Sequence, residues 1–94
     1  MRILILGSTG FIGKNLLSRL TEGGHNVTTA ERNSGVDLRD YEQVVSLIET
    51  SSPEVIFNLA SHGGSVHYVK SRAADVYFDN VQMSLNLYKA VSQT

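Results

Sequence analysis

Residues 3–17 of the chain read ILILGSTGFIGKNLL. The first four of these residues are apolar without interruption, which is typical of a strand that is buried on both faces of a parallel sheet. A glycine-rich turn follows, and from Ile12 and Leu16 onward the apolar residues recur with the spacing of an amphipathic helix. The segment therefore predicts a strand, a tight turn and a helix in direct succession.

The turn between this strand and this helix carries glycine at every third position. In such a context the first glycine permits the tight turn, the second lets the backbone approach a pyrophosphate, and the third allows the helix to pack closely on the strand. The phosphate charge then faces the unpaired N–H groups and the positive end of the helix. The alternative is a turn that binds nothing. We predict a binding site for the pyrophosphate of a nicotinamide dinucleotide, formed by Gly7, Ser8, Thr9, Gly10, Phe11, Ile12 and Gly13.

Beyond the first helix, which we expect to end near Glu22, strand-like and helix-like segments alternate. The connection that leads to residues 36–38 is too short for a crossover helix, so we expect a loop there and then a very short edge strand. The alternation predicts an α/β fold with a Rossmann-type parallel sheet, strand order 3-2-1-4, and flanking helices. The remaining predicted elements are strands at 27–31, 36–38 and 55–60, a helix at 40–50 that begins with an Asp40–Gln43 capping box, a loop at 61–65 and a helix at 73–91.

Composition narrows the classes of function. A chain of 94 residues with 41% apolar content suffices for one domain. Eight basic and nine acidic residues give a net charge of -1 and form no basic stripe, so we expect no nucleic-acid partner. We also expect no membrane partner and a cytoplasmic location, because no apolar run approaches the roughly 20 residues of a membrane span. The chain has no cysteine and three scattered histidines, which predicts no metal site.

The glycine spacing is GxxGxxG rather than GxGxxG. With this start, the chain resembles the extended short-chain dehydrogenase/reductase family of sugar-nucleotide epimerases, dehydratases and reductases. The resemblance covers essentially all 94 residues, and within the family the chain looks most like the GDP-fucose synthase branch, with the dTDP-dehydrorhamnose reductases behind it. After the glycine turn, the segments that match the family are Glu31, Asp37-Leu38, Asn58-Leu59-Ala60 and Asn80-Val81.

Two adjacent residues bear on which cofactor is bound. Glu31 follows the last motif glycine by 18 residues, close to the interval of about 20 residues at which an acidic residue meets the adenosine ribose hydroxyls. This favours NAD. Arg32 comes next, and an arginine there could accommodate the 2′-phosphate of NADP, so the choice stays open with NAD preferred. Alternatively, both are solvated loop charges.

The resemblance implies further contacts to the cofactor. By this resemblance, the Asp37 carboxylate would accept a hydrogen bond from the adenine amino group, and Leu38 would pack on the adenine ring. Without the resemblance, the sequence shows at Asp37 only a polar residue near the end of a strand. In related reductases, an asparagine at the position of Asn80 helps to hold backbone or water near the catalytic site. A purely structural role for the Asn80 amide is an equally good interpretation. At the end of the fourth predicted strand, the residues expected to line the cofactor are Leu59, Ala60 and Ser61.

The proton-transfer pair of the family, Tyr-x-x-x-Lys, has no match in this chain. His62 and His67 are candidates for acid–base work, although solvated loop histidines are the simpler interpretation. The resemblance therefore implies that residues 1–94 are the amino-terminal, NAD(P)-binding portion of a longer sugar-nucleotide enzyme and contain no catalytic residue. The expected partners are the dinucleotide, a nucleotide sugar in the longer parent, and a second copy of the chain.

Other classes of function stay open. The chain could be a non-enzymatic NAD(P)-binding module, a truncated gene product without activity, or a structural fragment that binds nothing. A Tyr-x-x-x-Lys pair downstream of Thr94 would favour the enzyme, and binding of NADH would exclude the inert fragment.

Overall fold

A computed structural model of the chain describes residues 1–31, 34–62 and 66–93. Strands and helices alternate along it until two helices follow the last strand, and the first helix ends where the sequence predicts. The elements are β1 (Arg2–Leu6), α1 (Phe11–Glu22), β2 (Asn26–Ala30), α2 (Tyr41–Ser51), β3 (Val55–Asn58), α3 (Val66–Ser71) and α4 (Ala73–Ser92).

The three strands form a parallel sheet in the order β2-β1-β3. In the register of the central strand, Leu4 pairs with Thr28 of β2 on one side and with Ile56 of β3 on the other. Because β1 is covered on both faces, its residues Ile3–Leu6 are all buried, which explains the uninterrupted apolar run. The predicted Rossmann-type parallel sheet with flanking helices is confirmed.

The helices lie on both faces of this sheet. From β1 the chain crosses to β2, and from β2 it crosses back past β1 to β3, so right-handed crossovers place α1 and α2 on opposite faces. On the α2 face, side chains of β1 and β2 pack against those of α2 and α4. The buried residues of this core are Leu4, Leu6, Ala30, Val44, Ile48, Leu87 and Ala90.

The edge strand expected at residues 36–38 is wrong, because this segment forms a turn that leads into α2. The N–H of Asp37 donates to Oε1 of Gln43 at 2.9 Å, and its carbonyl accepts from the N–H of Asp40 at 3.1 Å. A backbone that is committed to a turn cannot extend the hydrogen-bond ladder of β2. When the third predicted strand is removed, the predicted order 3-2-1-4 becomes 2-1-4. This is the observed order β2-β1-β3, because the fourth predicted strand is β3.

The start of α2 and the segment after β3 also depart from expectation. Asp40 is the N-cap, and its carboxylate accepts from the N–H of Glu42 at 3.1 Å. The Gln43 side chain donates to the Asp40 carboxylate instead of accepting from the Asp40 N–H, so the capping box is not formed. Of the loop expected at 61–65, residues 63–65 lie outside the described residues, and α3 follows them.

Candidate functional site

Two of the three motif glycines are required by the fold itself. Gly7 has a φ of 80° and donates its N–H to the carbonyl of Ala30 at 2.9 Å, and a Cβ at this position would lie 2.8 Å from the Leu59 carbonyl. A Cβ on Gly13 would lie 2.5 Å from the carbonyl oxygen of Gly7 and 2.7 Å from Cα of Ser8. The first glycine therefore turns the chain beside β3, and the third brings α1 against that turn.

Gly10 differs from both. It is the N-cap of α1 with φ -75° and ψ 174°, an extended conformation that any residue adopts, and a Cβ there would have no neighbour within 4 Å in the described chain. No side-chain hydrogen bond from the N-cap closes this end of α1, and the first turn carries no acidic residue. The leading N–H groups and the positive helix end are therefore arranged as in sites that bind anions.

The glycine turn borders a cleft of about 300 Å³ at the carboxyl ends of the strands, where ligands bind in open α/β sheets. The cleft brings together most of the residues that the sequence and the resemblance pointed to. Those that line it are Gly7, Thr9, Gly10, Glu31, Asp37, Leu38, Leu59, Ala60 and Ser61.

Four other predicted cofactor residues do not line the cleft. Ser8 and Gly13 are buried behind the turn, whereas Phe11 and Ile12 are exposed at the start of α1. Arg32 lies outside the described residues. The cleft wall is therefore formed by one part of the glycine turn, and the remaining turn residues support it from behind or face solvent.

Glu31 is held at the end of β2 through both its side chain and its backbone. The hydroxyl of Ser8 donates to Oε1 of Glu31. The hydroxyl oxygen of Ser34 accepts from the Glu31 N–H at 3.1 Å and donates to the Glu31 carbonyl at 2.7 Å. The carboxylate is thus a fixed part of the cleft and differs from the solvated loop charge considered as an alternative.

Arg39 lines the cleft and was missed by the sequence reasoning. Its Nε lies 3.0 Å from Oδ1 of Asp37 and its Nη2 lies 3.1 Å from Oδ2 of the same carboxylate. Its Nη1 lies 3.4 Å from Oδ2 of Asp79 on α4. The hydrogen bonds to Asp37, together with the charges of Asp37 and Asp79, raise the pKa of Arg39. The Asp-x-Arg spacing was visible in the sequence, but the turn that pairs the two side chains was not.

Asn80 fixes the backbone of the loop that follows β3. Its Oδ1 accepts from the N–H of His62 at 2.7 Å, and its Nδ2 donates to the His62 carbonyl at 2.9 Å. Nδ1 of the His62 ring lies 2.8 Å from Oδ2 of Asp79, and Nε2 lies 2.6 Å from the hydroxyl of Tyr68. The His62 side chain is thus mostly buried between Asp79 and Tyr68, contrary to the solvated interpretation, whereas His67 is exposed on α3.

A second asparagine of α4, which the sequence reasoning did not single out, holds the opposite wall of the cleft. Asn86 is 5% exposed, donates to the carbonyl of Leu38 at 2.9 Å and accepts from Nε2 of Gln82 at 2.8 Å. One helix therefore positions the loop after β2 and the loop after β3, both of which line the cleft.

Two further observations concern the described residues as a set. No three of their histidine and acidic side chains are grouped so that they could hold a metal ion. None of the helices formed by these residues has the length and apolarity needed to cross a membrane.

The parallel strands, their crossover helices and the glycine turn at the cleft define a Rossmann-type α/β protein of the short-chain dehydrogenase/reductase kind. The profile of the NAD dependent epimerase/dehydratase family matches residues 3–94. The chain belongs to this family, and the resemblance inferred from its motifs is confirmed.

Individual relatives agree with this assignment. The chain is 27% identical to GDP-mannose 3,5-epimerase 1 of Oryza sativa subsp. indica, over 96% of this chain and 27% of that protein. It is 29% identical to GDP-L-fucose synthase of Azorhizobium caulinodans, over 92% of this chain and 27% of that protein. Among solved structures, UDP-glucose 4-epimerase of Thermus thermophilus in complex with NAD is similar, with a TM-score of 0.85 and 25% identity over 99% of this chain and 34% of that one. The chain thus spans about a third or less of these proteins.

Proposed function

We propose that this chain binds a nicotinamide dinucleotide in the cleft, as the cofactor-binding part of a sugar-nucleotide epimerase, dehydratase or reductase. The observation that carries the proposal is Gly10. Gly7 and Gly13 are glycines because neighbouring backbone leaves no room for a Cβ, whereas nothing in the described fold requires a glycine at position 10. A ligand that approaches the backbone at this position, as the pyrophosphate of a dinucleotide does, would explain why position 10 is a glycine.

The cleft offers a place for each part of the cofactor. The pyrophosphate would lie at the glycine turn, against the positive end of α1. The adenosine ribose would lie beside Glu31, the adenine beside Asp37 and Leu38, and the nicotinamide toward residues 59–61. The carboxylate of Glu31 supports NAD over NADP, because a 2′-phosphate would meet a fixed negative charge. Arg32 is the residue that would support NADP.

In the longer enzyme, residues 1–94 would be the amino-terminal cofactor-binding portion. The relatives are named for GDP-mannose, GDP-L-fucose and UDP-glucose, which supports a nucleotide sugar as the second substrate. The chain contains no Tyr-x-x-x-Lys, so we assign it binding and assign no catalytic residue in it. Asn80 then acts as a positioning residue, because it fixes the loop beside the nicotinamide end. We propose a cytoplasmic location for this protein.

Replacement of Gly10 by valine tests the proposal. The branched side chain would occupy the space that the pyrophosphate needs, so we expect Gly10→Val to abolish dinucleotide binding. The fold should persist, since the extended conformation at this position accepts a β-branched residue. Fluorescence titration with NADH and with NADPH measures binding, and far-UV circular dichroism monitors the fold.

Gly23→Ala provides the matched control at the other end of α1. There the added Cβ would lie 3.3 Å from the ring of His25 and far from the glycine turn, so NADH should bind as it does to the wild type. Wild-type affinity in Gly10→Val would remove the phosphate site and with it the proposal.

A further inference from the structure

Ser8 is a buried polar residue of the glycine turn that does not itself line the cleft. It is 5% exposed, and a hydroxyl at that depth needs a hydrogen-bond partner. The partner is the carboxylate of Glu31, which lies at the end of the neighbouring strand and lines the cleft. A residue of the glycine turn is thereby connected to the residue placed at the ribose.

Because of this hydrogen bond, the two oxygens of the Glu31 carboxylate have different surroundings. Oε1 accepts from Ser8, whereas in the described part of the chain Oε2 accepts no hydrogen bond. The backbone of Glu31 is independently held by Ser34 on both its N–H and its carbonyl. Only the side chain of Glu31 is then free to rotate, and a glutamate side chain has many rotamers. The hydrogen bond from the Ser8 hydroxyl restricts this rotation.

We propose that Ser8 is a positioning residue that sets the choice between NAD and NADP. Its hydroxyl holds the Glu31 carboxylate so that Oε2 is presented to the ribose, where it accepts from the hydroxyls of NAD and repels the 2′-phosphate of NADP. The inference rests on the proposed function and goes beyond it, because it names the group that fixes the selecting charge.

Removing the hydroxyl leaves the charge of Glu31 in place but frees it to rotate into solvent. The ribose hydroxyls of NAD then lose a fixed acceptor, and a 2′-phosphate meets a weaker repulsion. We expect Ser8→Ala to shift the ratio of the two dissociation constants toward NADP by roughly tenfold, as for the loss of a hydrogen bond to a charged group. Ser8→Cys, which retains a side chain of similar size but donates weakly, should give an intermediate ratio.

The experiment is a double-mutant cycle on the chain, with NADH and NADPH titrated by fluorescence against the wild type, Ser8→Ala, Glu31→Ala and the double variant. Glu31→Ala should shift the ratio toward NADPH at least as far as Ser8→Ala does. In the Glu31→Ala background, Ser8→Ala should change the ratio no further, because the two residues act through one contact.

Ser18→Ala is the matched control. Ser18 donates to Glu22 at 3.4 Å on the exposed side of α1, so this variant removes a serine–glutamate hydrogen bond outside the cleft and should leave the ratio unchanged. If Glu31→Ala shifts the ratio and Ser8→Ala does not, the inference is overturned while the proposed function stands. An equal loss of affinity for both cofactors in Ser8→Ala assigns Ser8 a structural role and also overturns it. If the wild type binds neither cofactor, both proposals fail.

Discussion

At Gly13 a methyl group would lie 2.5 Å from the carbonyl oxygen of Gly7. Neither group can rotate away, because the backbone fixes the position of both the Cβ and the carbonyl oxygen. We expect Gly13→Ala to lower the free energy of unfolding by about 1–3 kcal/mol, because α1 must move off the turn to relieve the overlap. Urea unfolding monitored by circular dichroism measures the change. Gly10→Ala adds the same methyl where nothing lies within 4 Å, and it should stay within about 1 kcal/mol of the wild type. Equal losses in the two variants would contradict a packing role for Gly13.

Residues in and around this turn also show what the sequence reveals. The steric roles of Gly7 and Gly13 agree with the prediction because they depend on a strand, a turn and a helix that are contiguous in the chain. The hydrogen bond from Ser8 to Glu31 was not predictable, since it joins two separate strand ends and depends on the rotamer of a glutamate. The pairing of Arg39 with Asp79 was also not predictable, because the two residues are 40 positions apart and are brought together only by the packing of α4.

Helix α4 is the element that sets the shape of the cleft. Asn80 holds the loop after β3, Asn86 holds the loop after β2, and Asp79 contacts Arg39 from one loop and His62 from the other. These polar side chains lie on the same helix as the apolar residues that pack on α2. Packing of α4 and the geometry of the cleft are therefore coupled.

Asn80→Asp tests this coupling with a side chain of nearly the same shape. The substitution replaces the donor Nδ2 by an oxygen that faces the His62 carbonyl, so one hydrogen bond is lost and a repulsion is added. We expect the free energy of unfolding to fall by about 1–3 kcal/mol and the affinity for NADH to fall with it, because the loop lines the cleft. Chemical unfolding and NADH titration provide the two measurements.

Asn15→Asp is the control for this substitution. It removes a similar hydrogen bond, from Nδ2 to the Phe11 carbonyl at 2.8 Å, at an exposed position of α1. Its stability should stay within about 0.5 kcal/mol of the wild type. If Asn80→Asp is as stable as Asn15→Asp and binds NADH equally well, the amide of Asn80 does not position the loop.

Prediction from sequence also differed from one element to another. The elements β1, α1 and α4 were assigned correctly, because β1 is a continuous apolar run and the two helices carry apolar residues at helical spacing. Spacing alone did not show which residues are buried, since the apolar side chains of Tyr77 and Leu85 on α4 are exposed. The segment at 36–38 has a strand-like composition, yet Asp37 forms local backbone hydrogen bonds with Gln43 and Asp40. The carbonyl of Leu38 accepts from Asn86 of α4, a tertiary contact that the sequence does not show. Helix α3 was missed because its six residues are too few to show a period.

At the scale of the whole molecule, two surfaces stand out. Strand β3 pairs with β1 on one side, and no strand of the described chain pairs with its other side. Its residues Val55, Ile56 and Phe57 are only partly buried. An unpaired strand edge with apolar side chains is a template for pairing with another chain. A second apolar surface, on α4, consists of the exposed residues Tyr77, Val81, Leu85 and Tyr88.

We expect the chain to self-associate through the open edge of β3. In light scattering, its mean mass should exceed 10.3 kDa and rise with concentration. Association should be strongest near pH 6.3, where the net charge vanishes, and should weaken toward about pH 9 as negative charge accumulates and the copies repel one another. Leu85→Lys places a charge in the middle of the apolar surface of α4 and leaves the strand edge unchanged, so it should associate as the wild type does. A monodisperse monomer at every pH would contradict the prediction, and a monomeric Leu85→Lys would move the contact from the strand edge to α4.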